Sequence, residues 1–125
     1  MATPTDLWGA LDARELIERT PLSILREQAV LLGQKTGNLV EARVETKPSY
    51  GGRFKLTLKL VVPGLDNYTY ELLALDHPVT LYPVIVVRDG IELLDEAAFV
   101  DWLRIKLSSP DTHRIVGHLL SQASS

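Results

Sequence analysis

Residues 53–62 read RFKLTLKLVV, and two kinds of side chain alternate along them almost without error. Phe54, Leu56, Leu58, Leu60 and Val62 share one parity, whereas Arg53, Lys55, Thr57 and Lys59 share the other. Successive side chains of a strand point to opposite faces, so this segment presents one apolar and one polar face. The pattern predicts a central antiparallel strand, buried on one side and solvated on the other.

Working outward, Leu39–Lys47 predicts a preceding strand with Val40, Ala42 and Val44 inward, joined to the central one by the turn KPSYGG. Setting Val44 opposite Leu56 places Glu45 against Lys55 and Glu41 against Lys59, whereas a two-residue slip sets Arg43 against Lys55. Opposite charges across a pair contribute roughly 0.2–1 kcal/mol and like charges are destabilising, so the first register is expected. After the turn PGLDN, Tyr68–Asp76 predicts a third strand, with Val62 opposite Tyr68, Leu60 beside Tyr70 and Lys59 beside Glu71. Its inward set is then Tyr70, Leu72 and Ala74. Val79–Val87 predicts a fourth strand, placed at an edge because Pro83 has no N–H to give to a ladder. This pairing turns Leu73, Leu75, Tyr82, Val84 and Val86 to the outer face, as an apolar patch that its own helices or another chain must cover.

Helices flank this meander. Residues 1–5 are expected to be loose, and Asp6–Arg19 predicts a first helix from the stripe Leu7, Trp8, Leu11, Leu16 and Ile17, with Gly9 weakening its first turn. Thr20 followed by Pro21 is the strongest helix start in the chain: a hydroxyl to cap free N–H groups, then a residue whose missing N–H costs nothing. That helix should run to about Lys35, with Gly33 and Gly37 as candidate stops. Asp95 predicts a helix through about Leu107, and Ser109-Pro110 a last one to about Gln122. The sum is α+β, one domain over residues 1–125, in the order ααββββαα around a four-stranded antiparallel sheet.

Composition narrows the function classes. A chain of 125 residues can bury a real core. No apolar run is long enough to span a bilayer, and the opening MATPTDLWGALDARE has no basic region leading into an apolar one, so a cytoplasmic location is expected. There is no cysteine, which removes thiolate chemistry and Cys-based zinc sites. A net charge of −3 gives no general attraction to phosphate backbones or anionic lipid, so neither nucleic acid nor membrane is an expected partner. Lys55 and Lys59, the one basic stripe, alternate with Glu41, Glu45 and Glu71.

No nucleophile elbow, phosphate loop, dinucleotide fingerprint, HExxH or EF-hand loop occurs. His113 and His118 lie about 140° apart around their helix and do not face one metal. Glu92, Asp95 and Glu96 read as a helix cap with first-turn acids rather than a cation site. The meander does bring the 47–52 loop and the 75–79 turn to one end of the sheet. Tyr50, Arg53, Asp76 and His77 are therefore a candidate ligand-binding cluster, with a carboxylate next to an imidazole. Neither catalytic residues nor a cofactor or metal are implied.

The run Thr20–Ala42, TPLSILREQAVLLGQKTGNLVEA, resembles segments of small uncharacterised bacterial proteins. The resemblance covers under a fifth of the chain and implies no activity, ligand or site residue. The expected function is a non-catalytic interaction or accessory module, most simply a homodimer acting through the outer patch. The alternative is a small enzyme or ligand-binding domain using the turn cluster, or a cavity between sheet and helices.

Overall fold

A computed structural model describes residues 4–125. The elements are α1 (Ala13–Leu16), α2 (Pro21–Lys35), β1 (Glu41–Pro48), β2 (Phe54–Val62), β3 (Tyr68–His77), β4 (Val84–Val86), β5 (Glu92–Leu93), α3 (Glu96–Leu107) and α4 (Pro110–Ala123). The class is α+β, with helices before and after an antiparallel sheet. That sheet has five strands in the order β1-β2-β3-β4-β5 rather than four.

Local chemistry sets the long helices where the sequence places them. At Thr20 a capping box forms: the Ser23 N–H donates to Thr20 Oγ1 at 3.0 Å, and the Thr20 N–H donates to Ser23 Oγ at 2.9 Å. Gly33 does not stop this helix. It lies inside it, and its carbonyl accepts from the Asn38 N–H at 2.9 Å across Gly37, whose φ of 59° favours a residue without a Cβ. Asp95 accepts from the Ala98 N–H at 2.8 Å and Ser109 from the Thr112 N–H at 3.2 Å, starting α3 and α4.

The first helix is much shorter than its stripe suggests. Gly9 has a φ of 70°, Asp12 caps a single turn, and the chain is extended again at Ile17. Short helices in water persist only when packing holds them, and nothing packs here: Leu7, Trp8, Leu11, Leu16 and Ile17 are all exposed. The expected loose stretch 1–5 falls partly outside the described residues; Pro4 and Thr5 are exposed and without regular structure.

Two registers differ from expectation. Between β1 and β2, Val44 faces Leu58 rather than Leu56, which sets Arg43 opposite Lys59 and Lys47 opposite Lys55. The turn overrides the charges. Pro48 and Phe54 close a loop in which the Ser49 N–H donates to the Arg53 carbonyl at 2.7 Å and Gly51 and Gly52 have φ of 71° and 75°, and loop geometry fixes the ladder that follows. Glu45 offsets the repulsion diagonally, 2.7 Å from Lys47 Nζ and 2.5 Å from Lys59 Nζ. A two-residue shift leaves parity intact, so Ala42 and Val44 stay inward.

The second difference changes a face. Val62 opposes Tyr68, Leu60 opposes Tyr70 and Lys59 opposes Glu71, as expected, but Leu58 then opposes Leu73. Leu72 is the extra residue of a β-bulge, and beyond it every side chain of β3 changes sides. Leu73 and Leu75 therefore point inward with Leu58 and Leu56, and the expected outer patch does not exist as a surface. Leu73, Leu75, Val84 and Val86 are buried core residues, and Tyr82 packs against them. The fourth strand is also cut to Val84–Val86. The chain turns at Pro78, whose carbonyl accepts from the Leu81 N–H at 3.0 Å, and Leu81 has a left-handed φ of 78°. β5 then pairs with β4 through the turn Val87–Asp89, closed by the Gly90 N–H donating to the Val86 carbonyl at 2.8 Å, and takes the edge position.

Helices α2, α3 and α4 cover one face of the sheet. Leu56 and Leu58 pack with Ile24 and Leu25 of α2 and with Phe99 and Leu103 of α3; Leu60 and Val62, on the same parity of β2, pack with Leu119 of α4. The opposite face carries the charged row of Arg43, Glu45, Lys59 and Glu71.

Candidate functional site

The turn cluster is brought together only in part. Arg53 and Asp76 form an ion pair through Arg53 Nε, and Ser49 Oγ donates to the other carboxylate oxygen at 2.7 Å. His77 is not a member. One residue along β3 it lies on the opposite face, buried, stacked on Phe54 with ring centres 5.5 Å apart, its Nδ1 2.8 Å from the Pro78 carbonyl. Tyr50 is 96% exposed and shares no hydrogen bond with the others. Ser49, Arg53 and Asp76 thus clamp the β1–β2 turn to the end of β3.

Burial alone would raise the Asp76 pKa. The hydrogen bonds from Arg53 and Ser49, with the charges of Arg53 and His77, outweigh it and hold the carboxyl below its usual value. On the open face of β1, the Glu45 carboxyl is lowered from 4.5 to about 2, first by the hydrogen bond from Lys47 and then by that from Lys59. A depressed folded-state pKa contributes stability above the unfolded pKa and loses it as pH falls through the folded value. Stability should therefore decline on acidification from about pH 4.5 towards 2, with Glu45→Gln flattening the slope. The Glu45 part should shrink in high salt, because that pair is exposed. Asp76→Ala should cost about 1–3 kcal/mol at neutral pH, read from the urea midpoint, since it leaves a partly buried guanidinium without its acceptor.

A different site lies between the helices. Along the sheet, α2 stands apart from α3 and α4, and the space between them is a groove of about 670 Å³. Its floor is Ala42, Leu58, Leu60 and Leu72; one wall is the Gln28–Thr36 side of α2, and the other runs from Val100 to Leu107 and on to Val116, Gly117 and Leu120. Leu72, the extra residue of the bulge, packs against both core clusters at the floor, on the inward side where an unbroken alternation also puts it. The corner between α3 and α4 is fixed by buried Thr112, whose hydroxyl donates to the Lys106 carbonyl at 2.7 Å.

Every charged side chain in the lining is basic: Arg19, Lys35 and Arg104, joined by the imidazole of His113. Arg19 reaches Glu27 at 2.6 Å and Glu96 at 3.6 Å, tying α2 to α3 at one end, and Arg104 reaches Asp101 at 2.8 Å. Among the described residues Lys35 and His113 have no carboxylate partner. Gly117 sits inside α4, where glycine costs roughly 0.8–1.0 kcal/mol relative to alanine. A Cβ there would have no atom within 4 Å, so no neighbour in the chain demands a glycine.

Compared with protein-family models, curated protein sequences and solved structures, the chain matches none. No helix of the described residues is long and apolar enough to cross a membrane, and no three metal-ligating side chains gather among them.

The groove was not legible as a site from the sequence. Its floor is made of residues that read as ordinary core, and its basic rim draws single residues from α2, α3, α4 and the segment before α2. The available signals were Gly117 inside a strong helix and Leu31, an apolar residue left exposed on a helix otherwise well provided with core positions.

Proposed function

We propose that the protein is a non-catalytic interaction module that receives an apolar, acid-bearing protein segment in the groove between α2 and α3–α4. The observation that carries this reading is the groove itself: apolar along its floor and walls, with only basic charges in its lining, on a chain whose net charge is −3. Apolar surface supplies affinity for a segment laid into it, and a rim of one sign selects the opposite sign and orients it. Gly117 would let the backbone of an occupant approach α4 closely.

A second reading is favoured by the volume, which lies within the roughly 300–1,000 Å³ usual for small-molecule sites. A carboxylate amphiphile of the fatty-acid type would meet the same chemistry. The turn cluster supports neither reading, because the Asp76 carboxylate is already held by Arg53 and Ser49 and His77 lies on the other face of β3.

An anionic naphthalene dye, anilinonaphthalene sulfonate, tests the groove. The wild-type chain should bind it saturably with enhanced fluorescence. Gly117→Trp, which puts a large side chain into the groove from a position whose Cβ would meet no atom within 4 Å, should weaken binding at least about tenfold, a free-energy change of roughly 1.4 kcal/mol. Displacement of the dye by a medium-chain fatty acid but not by an acidic Leu/Trp peptide would favour the second reading. Equal dye binding by wild type and Gly117→Trp would contradict both.

A further inference from the structure

We infer that the groove's occupant is the N-terminal arm, Asp6–Glu18, of a second copy of this chain, exchanged reciprocally so that each copy's arm lies in the other's groove. The inference rests on the groove reading and names its partner.

Three observations carry it. The arm is the most exposed apolar stretch of the chain: Leu7 and Trp8 are 89% and 81% exposed, and Leu11, Leu16 and Ile17 are exposed too. Five large apolar side chains in a dozen residues are a liability in water unless something covers them. The arm also has the sign the groove selects, with Asp6, Asp12, Glu15 and Glu18 against the single base Arg14; in the lining, Arg19 and Arg104 already have carboxylate partners, and Lys35 has none among the described residues. Finally, the arm stands off its own domain. The chain is extended at Thr20, where the capping box and buried Pro21 fix the entry to α2. Its apolar side chains do not enter the groove of its own chain, although Arg19, the residue next to it, lines that groove's end. Exchange between two copies closes under two-fold symmetry, burying both arms and both grooves. The groove is then open to another acidic segment only when the dimer separates, so partner binding and self-association compete.

The test uses full-length chains in sedimentation. Wild type should be a dimer. Trp8→Glu/Leu11→Glu spoils the arm and keeps the groove; Gly117→Trp spoils the groove and keeps the arm; each should be a folded monomer. Mixed together, they should associate again through the one arm–groove contact left between them, at least about tenfold more weakly than wild type, because two linked contacts have become one. The arm variant should also bind the naphthalene dye more tightly than wild type, since its groove is no longer contested. Wild type that sediments as a monomer while the dye still binds and Gly117→Trp still blocks it would overturn the exchange and leave the groove reading standing. A dimer that survives both variants would likewise overturn it. Loss of groove-dependent dye binding in every chain would remove the reading beneath it.

Discussion

Leu75→Ala should destabilise the protein by about 2–5 kcal/mol, the range for truncating a large apolar side chain in a closed core. Leu75 is fully buried among Leu56, Val84 and Phe99, yet an uninterrupted alternation from Tyr68 would put it on the outer face, where its truncation would cost little. The size of the effect therefore reports directly on the bulge at Leu72. Glu71→Ala, on the same strand before the bulge and exposed, should change stability by no more than about 0.5 kcal/mol. Urea unfolding of the two variants separates the cases, and comparable midpoint shifts would mean the face of β3 is misassigned.

Phe99→Ala should be as severe or more so, at about 3–5 kcal/mol. The ring is fully buried, and it is the largest fully buried side chain of α3 in the core it shares with Ile24 and Leu25 of α2. α3 otherwise leans on β5 and α4, two modest supports, so removal of this anchor should loosen one wall of the groove as well as the core. Dye binding should fall together with the denaturation midpoint. Ile105→Ala, on the 71% exposed side of the same helix, should move neither appreciably. A Phe99→Ala protein that binds dye as wild type does would separate the groove from the α3 wall.

What could be read from the chain was what local chemistry decides. Thr20-Pro21, Asp95 and Ser109-Pro110 each start a helix where their side chains accept from the first free N–H groups, and the parity of Phe54–Val62 gives β2 its two faces. What stayed hidden depends on pairing at a distance. In YELLAL, Leu72, Leu73 and Leu75 are apolar on both parities, so nothing in the run itself shows where one residue is skipped; only the partner strand does. A two-residue strand such as β5 has no period to detect. The stripe before Thr20 reads as a helix because its apolar groups recur, but without a packing surface the recurrence does not make one.

The turn cluster failed by one position. Asp76 and His77 are neighbours in sequence and therefore point to opposite faces of β3, one towards Arg53 and Ser49 and the other towards Phe54. The same period-two logic that places β2 correctly argues against joining adjacent strand residues in a single site.

The bulge decides which residues of β3 enter the core: it buries Leu73 and Leu75 and removes the outer patch. Cross-strand backbone NOEs between β2 and β3 test it most directly. They should pair Leu60 with Tyr70 and Leu56 with Leu75, so that the ladder gains one residue on β3 between Lys59 and Leu58. NOEs that instead pair Leu56 with Ala74, continuing the Leu60–Tyr70 register unbroken, would return Leu73 and Leu75 to the outer face and contradict the fold described here.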